Sequence, residues 1–191
     1  MNIDLQELLT ETWNRFSKSE NLVPLLIAAL IVLVGGGLTL GILMAPLMVG
    51  YIRMCRRVID GETIEPGQVT EGFSQFARAF VLGLILVVGM IVTACTMVGP
   101  LILAFIAMFA FHVIAFDDEI GAIDAIKRSL EIVKANMGPC ILVFLIGGVI
   151  NSVLSGTFVL GIPAFGFVML MNTILFERLD AATSSAAPQP A

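Results

Sequence analysis

The sequence predicts an all-α fold: a polytopic membrane bundle of six transmembrane helices, paired as three hairpins and accompanied by cytoplasmic amphipathic helices. Three observations carry this expectation. Of 191 residues, 58% are hydrophobic and only 13% charged, with mean hydropathy +1.01; a soluble domain is about 45–50% apolar and about 25% charged. Three charge-free runs divide the chain, Asn21–Ile52, Ala79–Phe116 and Ala135–Phe176, of 32, 38 and 42 residues. The ten Lys and Arg all fall on one side if each run is a hairpin, and split evenly if each is a single span. The first arrangement obeys the positive-inside rule, which gives Asp and Glu little weight. It places both termini in the cytoplasm.

Composition also excludes classes. So much apolar surface demands burial, which rules out a disordered chain. A net charge of −5 and a pI near 4.8 oppose a nucleic-acid partner. Three well-separated cysteines, Cys55, Cys95 and Cys140, do not make a disulfide scaffold and read as small apolar packing residues. The acidic start, Asp4, Glu7 and Glu11, is the wrong flank for a secretory signal.

The elements follow in order. Leu5, Leu8, Leu9 and Phe16 share one helical face, with Trp13 beside it. The first run breaks at Gly35-Gly36-Gly37, Gly41 and Pro46. At 32 residues it is short for two spans of about 20 residues each, so its second helix continues past Arg53 toward Val58. Arg53, Arg56 and Arg57 then snorkel to the headgroups. Val69, Phe73, Phe76 and Phe80 form a second amphipathic entry. The second run breaks at Gly99-Pro100, because Gly frees the backbone and Pro removes a donor. Ile123, Ile126, Leu130, Val133 and Met137 form a third apolar stripe, with Asp124, Lys127, Arg128, Glu131 and Lys134 off it. Asp117-Asp118-Glu119 precedes that helix and suits its N-terminus as capping carboxylates. The last run breaks at Ser155-Gly156, Gly161 and Pro163. Residues 1–180 thus form one transmembrane domain, and Ala181–Ala191 reads as a disordered tail. The amphipathic segments either lie in the headgroup layer or pack under the bundle; both readings turn their stripes to apolar material. Lys18-x-x-Asn21-x-x-Pro24 is echoed by Lys134-x-Asn136-x-x-Pro139, which points to a parallel internal repeat.

The chemistry on offer is sparse. No Asp, Glu, Lys or Arg lies inside the runs, which argues against a proton relay or a charged-substrate carrier. There is no nucleophile elbow, P-loop, paired-Cys motif or zinc helix. His112, the one histidine, is a candidate axial ligand for haem or a chlorophyll-type pigment, or a hydrogen-bonding group between helices. Arg53, Arg56, Arg57 and Trp13 are the candidate lipid-headgroup contacts. Asn151 and Asn172 are the candidate polar path. They join Ser152, Ser155, Thr157, Thr173, Thr39, Thr93 and Thr96 as polar positions expected to bond across helices.

Pro46-x-x-x-Gly50, Arg53 and Arg57 leading to Gly61, Gly72-Phe73, Ala125-x-x-x-Ser129, Val133-Lys134-x-Asn136 and Pro163 give the chain a likeness across residues 10–180. It resembles bacterial six-helix membrane proteins of unknown function related to the membrane domain of glycerophosphoryl diester phosphodiesterases. Met137 follows Asn136 where that pattern often has an aromatic. The resemblance implies a fold and a compartment, the bacterial inner membrane, and carries over no catalytic residue; no cofactor is expected. The expected role is non-enzymatic: binding membrane lipids or another membrane protein as a scaffold or assembly subunit. The alternative is a transporter or flippase-like protein for lipid or a neutral solute.

Overall fold

The computed structural model describes residues 4–39, 41–96, 98–154 and 158–186. Among these the regular structure is entirely helical: α1 (Leu5–Phe16), α2 (Ser19–Leu38), α3 (Met44–Asp60), a 3-10 segment (Pro66–Gln75), α4 (Phe76–Thr93), α5 (Gly99–Ile106), α6 (Ala110–Phe116), α7 (Ala122–Ala135), α8 (Met137–Leu154) and α9 (Phe158–Ala186).

Among the described residues four stretches are long and apolar enough to cross a membrane: Ser19–Leu38, Pro66–Thr93, Gly99–Phe116 and Leu160–Ser185. A fifth arises if α7 and α8, bent by 107° to one another, count as one broken span. The helix that keeps the number below six is α3. It has 17 residues and carries Arg53, Arg56, Arg57 and Asp60.

Some of the expected breakers act and others do not: α2 runs through Gly35-Gly36-Gly37 to Leu38, and α9 runs through Gly161 and Pro163. Gly41 adopts φ +87° in the turn between α2 and α3, a left-handed conformation that favours glycine. Pro46 sits in the first turn of α3, where no helical donor is lost, and Gly99-Pro100 opens α5. The helix after that turn breaks again: α5 ends at Ile106 and α6 starts at Ala110. Ser155, Gly156 and Thr157 lie outside the described residues.

The core centres on α3 and α9. Tyr51, Ile52, Met54 and Cys55 of α3, and Leu170, Met171, Leu175 and Leu179 of α9, are wholly buried. Helices α2, the 3-10 segment, α4, α6 and α9 all pack on α3, and α1 lies along α9. By contrast α4 buries only Ala79 and Leu82, and α5 buries no residue. Their outer faces carry Val, Leu and Ile side chains exposed to the surroundings.

Two sequence expectations need correction. The third amphipathic helix buries only part of the stripe Ile123, Ile126, Leu130, Val133, Met137: Val133 is buried, Ile126 and Leu130 are half-buried, and Met137 belongs to the start of α8. Its inner face is Ala122, Ala125, Ser129, Ile132 and Val133, while Ile123 and Met137 stand 60% and 49% exposed. Small residues let α7 approach the bundle closely, and Ile123 turns outward. Nor does structure stop at Ala181, because α9 continues through Ala186. The Asn136 side chain donates to Thr183 Oγ1 at 3.4 Å and the Arg128 guanidinium to Ser184 Oγ at 2.9 Å, which ties down that last stretch. Residues 187–191 lie outside the described residues.

Candidate functional site

Residues Pro46, Gly50, Arg53 and Arg57 follow a 4-3-4 spacing, so they share one face of α3. The 3-10 segment crosses that face with its backbone. A Cβ placed on Gly50 would stand 2.6 Å from the carbonyl carbon of Val69, and one on Gly72 would stand 2.5 Å from the Gly50 nitrogen. Only two glycines allow so close an approach. Gly50 and Gly72, separated in sequence, are therefore halves of one contact.

Beyond the crossing, α3 presents its arginines at the charged end of the bundle. The Arg57 guanidinium donates two parallel bonds to the Glu71 carboxylate, at 3.0 and 2.7 Å. That hydrogen bonding holds the guanidinium above its ordinary pKa. Arg53 Nε donates to the Ala115 carbonyl at 3.2 Å, and its terminal nitrogens to Ser74 Oγ at 3.4 Å and to Asp118. The Gln75 amide also donates to Asp118. Arg56 instead lies over the Phe116 ring, 4.4 Å from its centroid. Of the three arginines among the candidate headgroup contacts, then, Arg53 and Arg57 are engaged in ion pairs within the chain. Arg56 has no carboxylate partner among the described residues. Trp13 stands 60% exposed, with its ring 6.4 Å from Phe167 of α9.

The Asp117-Asp118-Glu119 carboxylates do not cap α7. Its N-cap is Gly121, with no side-chain cap bond. Asp118 reaches back to α3, and Asp117 accepts from the Glu119 N–H at 2.9 Å in its own turn. The pull of a full guanidinium on another element outweighs a local cap.

The amphipathic helices are fastened to the end of α9 by opposite charges. Arg178 pairs with Glu7 at 3.2 Å and with Glu11 of α1, while Asp180 pairs with Arg128 of α7 at 2.8 Å. Arg15 adds a tie from α1 to the end of α3, donating to the Val58 and Ile59 carbonyls at 3.2 and 2.8 Å. The echoed asparagines do equivalent work. Asn21 donates to the Arg15 carbonyl at 3.0 Å and Asn136 to the Ile132 carbonyl at 3.1 Å. Each satisfies an acceptor at the end of the amphipathic helix before it, where the chain turns into an apolar helix.

Most polar positions in the apolar helices bond along their own helix rather than across helices. Thr39 donates to the Gly35 carbonyl, Thr93 to Gly89 and Thr173 to Met169, at 2.7, 2.7 and 2.8 Å. A carbonyl four residues back is always within reach. The cross-helix bond comes from Ser129, which sequence reading did not assign. Its Oγ donates to the Ile106 carbonyl at 2.6 Å and accepts from the Phe109 N–H at 3.2 Å. It thereby satisfies the backbone freed by the break between α5 and α6. The signal was present: a Ser set four residues after Ala125 on a face of small side chains.

His112 is buried, with Phe109 and Phe176 rings 5.8 and 5.5 Å away. Neither ring nitrogen finds a hydrogen-bond partner among the described residues, nor does the Tyr51 hydroxyl. Asn151 is exposed on α8 and Asn172 is half-buried on α9. Of the cysteines, Cys55 and Cys140 are buried and Cys95 is exposed.

Comparison with known proteins returns a family and relatives without assigned roles. A family model described as "Domain of unknown function (DUF7847)" matches residues 14–189. An uncharacterized protein of Mycobacterium bovis is 29% identical over 177 residues, covering 86% of this chain and 50% of its own length. Two uncharacterized proteins of Mycobacterium tuberculosis match to the same extent. The chain spans about half the length of these curated relatives. No solved structure matches.

Proposed function

Starting from a chain that belongs to this family of unknown function, we propose a non-enzymatic integral protein of the bacterial inner membrane that binds lipid or a membrane-protein partner as a scaffold or assembly subunit. In this reading the six helices form three hairpins and both termini are cytoplasmic. Helix α3 completes the first hairpin: its 17 residues extend about 25 Å, and its arginines end at the headgroup level. The likeness to the phosphodiesterase membrane domain belongs to the same proposal and brings a fold and a compartment, not a reaction.

The observation that carries the reading is the posture of α7. It is bent by 107° from α8, seats its small-residue face on the bundle, and leaves Ile123 exposed beside exposed Lys127 and Lys134, with exposed Met137 at the start of α8 just beyond it. If α8 crosses the bilayer, α7 lies nearly in the membrane plane. A bulky apolar stripe then enters the acyl boundary and flanking cations meet anionic headgroups. Purification in mild detergent, with mass spectrometry of bound lipids and proteins, tests the role. Retained lipid or a membrane-protein partner is expected; an isolated monomer carrying neither overturns it.

Transport of a lipid or neutral solute is the second reading. Asn151 on α8 and Asn172 on α9 are its intended path. A reconstituted flux assay against protein-free vesicles decides it.

A further inference from the structure

Helices α3, α4 and α6 enclose a lateral groove of about 580 Å³. Its floor is the contact between Gly83 of α4 and Ala45 of α3: a Cβ on Gly83 would stand 3.1 Å from the Ala45 methyl. Its walls are Met44, Met48, Met90, Leu86, Phe80 and Phe111, with Leu84 and Val87 at the rim. No charged side chain lines it.

The volume is that of a small-ligand site, yet no polar side chain is present to orient a polar ligand. The groove follows α4 from Phe80 to Ile91, about 17 Å of helix. A second helix about 10 Å across laid along that length fills roughly 1,300 Å³, more than twice the space. A single alkyl chain is narrow enough to reach the floor. Three methionines in the walls suit such an occupant, since the flexible thioether side chain refits around a shape that itself bends. An empty groove would forfeit the dispersion contacts of all its walls. The rim continues directly into Val88, Ile91 and Val92, exposed by 51%, 67% and 69%, the face of α4 that meets hydrocarbon if the chain is membrane-embedded.

We infer that the groove between α3, α4 and α6 seats one acyl chain of a bilayer phospholipid, held more persistently than the lipid around the other apolar faces. This rests on the membrane reading of the preceding section and deepens its lipid-binding part. The driving force is shape: between protein and lipid tails there is little hydrophobic gain, and packing decides.

The test uses the full chain in vesicles of phosphatidylethanolamine and phosphatidylglycerol, containing a trace of phosphatidylglycerol with a diazirine on one acyl chain. After illumination, mass spectrometry compares labelling of the groove (Met44, Met48, Met90) with labelling of the exposed face of α8 (Leu142, Leu145, Val149). Several-fold preference for the groove is expected. Val87→Trp and Leu84→Trp, both at exposed rim positions, should lower groove labelling to the α8 level and leave α8 unchanged. Equal labelling of groove and α8 in the unaltered protein overturns the acyl-chain seat while leaving the membrane reading intact. So does a cross-linked dimer formed from a photoreactive side chain placed at Val87, which would make a second copy the occupant. Labelling of neither surface overturns both.

Discussion

Replacing Gly50 or Gly72 by alanine drives a methyl group into backbone on the opposite element. The Cβ at position 50 would stand 2.6 Å from the Val69 carbonyl carbon. Non-bonded carbons settle at about 3.5–4.0 Å, so the 3-10 segment must withdraw by about 1 Å. No side chain can rotate to absorb this, because the obstructing atoms are main chain. Withdrawal loosens the Arg57–Glu71 pair at 3.0 and 2.7 Å and separates Arg53 from Ser74, already at 3.4 Å. Overpacking of this kind costs about 1–3 kcal/mol, and a chain of this size loses roughly 2–4 °C of midpoint per kcal/mol. The expected fall is thus several degrees for either variant. Cys55, buried five residues along α3, supplies the readout: a thiol-reactive fluorophore reports its exposure on heating in detergent, in a Cys95→Ser background that removes the exposed thiol. Gly148→Ala is the control, since a Cβ there meets nothing within 4 Å and alanine favours the helix. If Gly50→Ala and Gly72→Ala both melt with the control, the crossing does not hold the fold and the reasoning fails.

Three further outcomes follow from the same geometry. Ser129→Ala should cost about 1–3 kcal/mol, because the Phe109 N–H and Ile106 carbonyl lose their partner inside the bundle; an unchanged melting midpoint would mean that the α5–α6 break is satisfied some other way. His112→Phe should be neutral or stabilising, since two unpartnered ring nitrogens are exchanged for apolar atoms of similar shape. A visible absorbance band lost on that substitution would instead make His112 a pigment ligand. Cys95, exposed in the turn between α4 and α5, should react with an impermeant maleimide added outside intact cells, while buried Cys55 and Cys140 do not. Labelling of Cys95 only after lysis contradicts the proposed orientation.

Charge position made the helix ends legible. Lys18 stands just before α2, Arg78 in the first turn of α4, and Glu177 and Arg178 where α9 emerges from its apolar stretch. Periodicity correctly found α7, but the buried face is centred on Ala122, Ala125, Ser129 and Ile132, to one side of the bulky stripe, with which it shares Val133. In a chain this apolar there are two media that accept an apolar stripe, protein and lipid tails, and a hydrophobic pattern alone does not tell them apart. Ala122, Ala125 and Ser129 held the answer, because small side chains mark close helix approach. Asp118 was read as a local cap because sequence displays neighbours at three or four residues and conceals a partner 65 residues away. The tail was read as disordered from its Ala, Ser and Thr content. Alanine is also the best helix former, and the bonds from Asn136 and Arg128 that recruit Thr183 and Ser184 are tertiary. The site residues were half visible: Gly50, Gly72, Arg53 and Arg57 stood out, but their acidic partners Glu71 and Asp118 did not.

Those partners bear on how a surface helix is held. Residues 178 and 180 of α9 are two apart, about 200° around the helix, so they point to opposite sides. Arg178 takes the carboxylates of α1 on one side and Asp180 takes Arg128 of α7 on the other. The signs are reversed between the two clasps, so each amphipathic helix matches its own clasp and meets a like charge at the other. Each pair is partly exposed and contributes at most about 1 kcal/mol, far less than the apolar packing beneath it. The clasps therefore decide which helix docks where, while buried Leu8, Phe16, Ile132 and Val133 supply the stability. Arg178→Glu should loosen α1 and leave α7 in place, and a compensating Glu7→Arg, Glu11→Arg pair should restore it. Protease sensitivity of the α1–α2 junction distinguishes this from general unfolding, which would expose the α7–α8 junction equally.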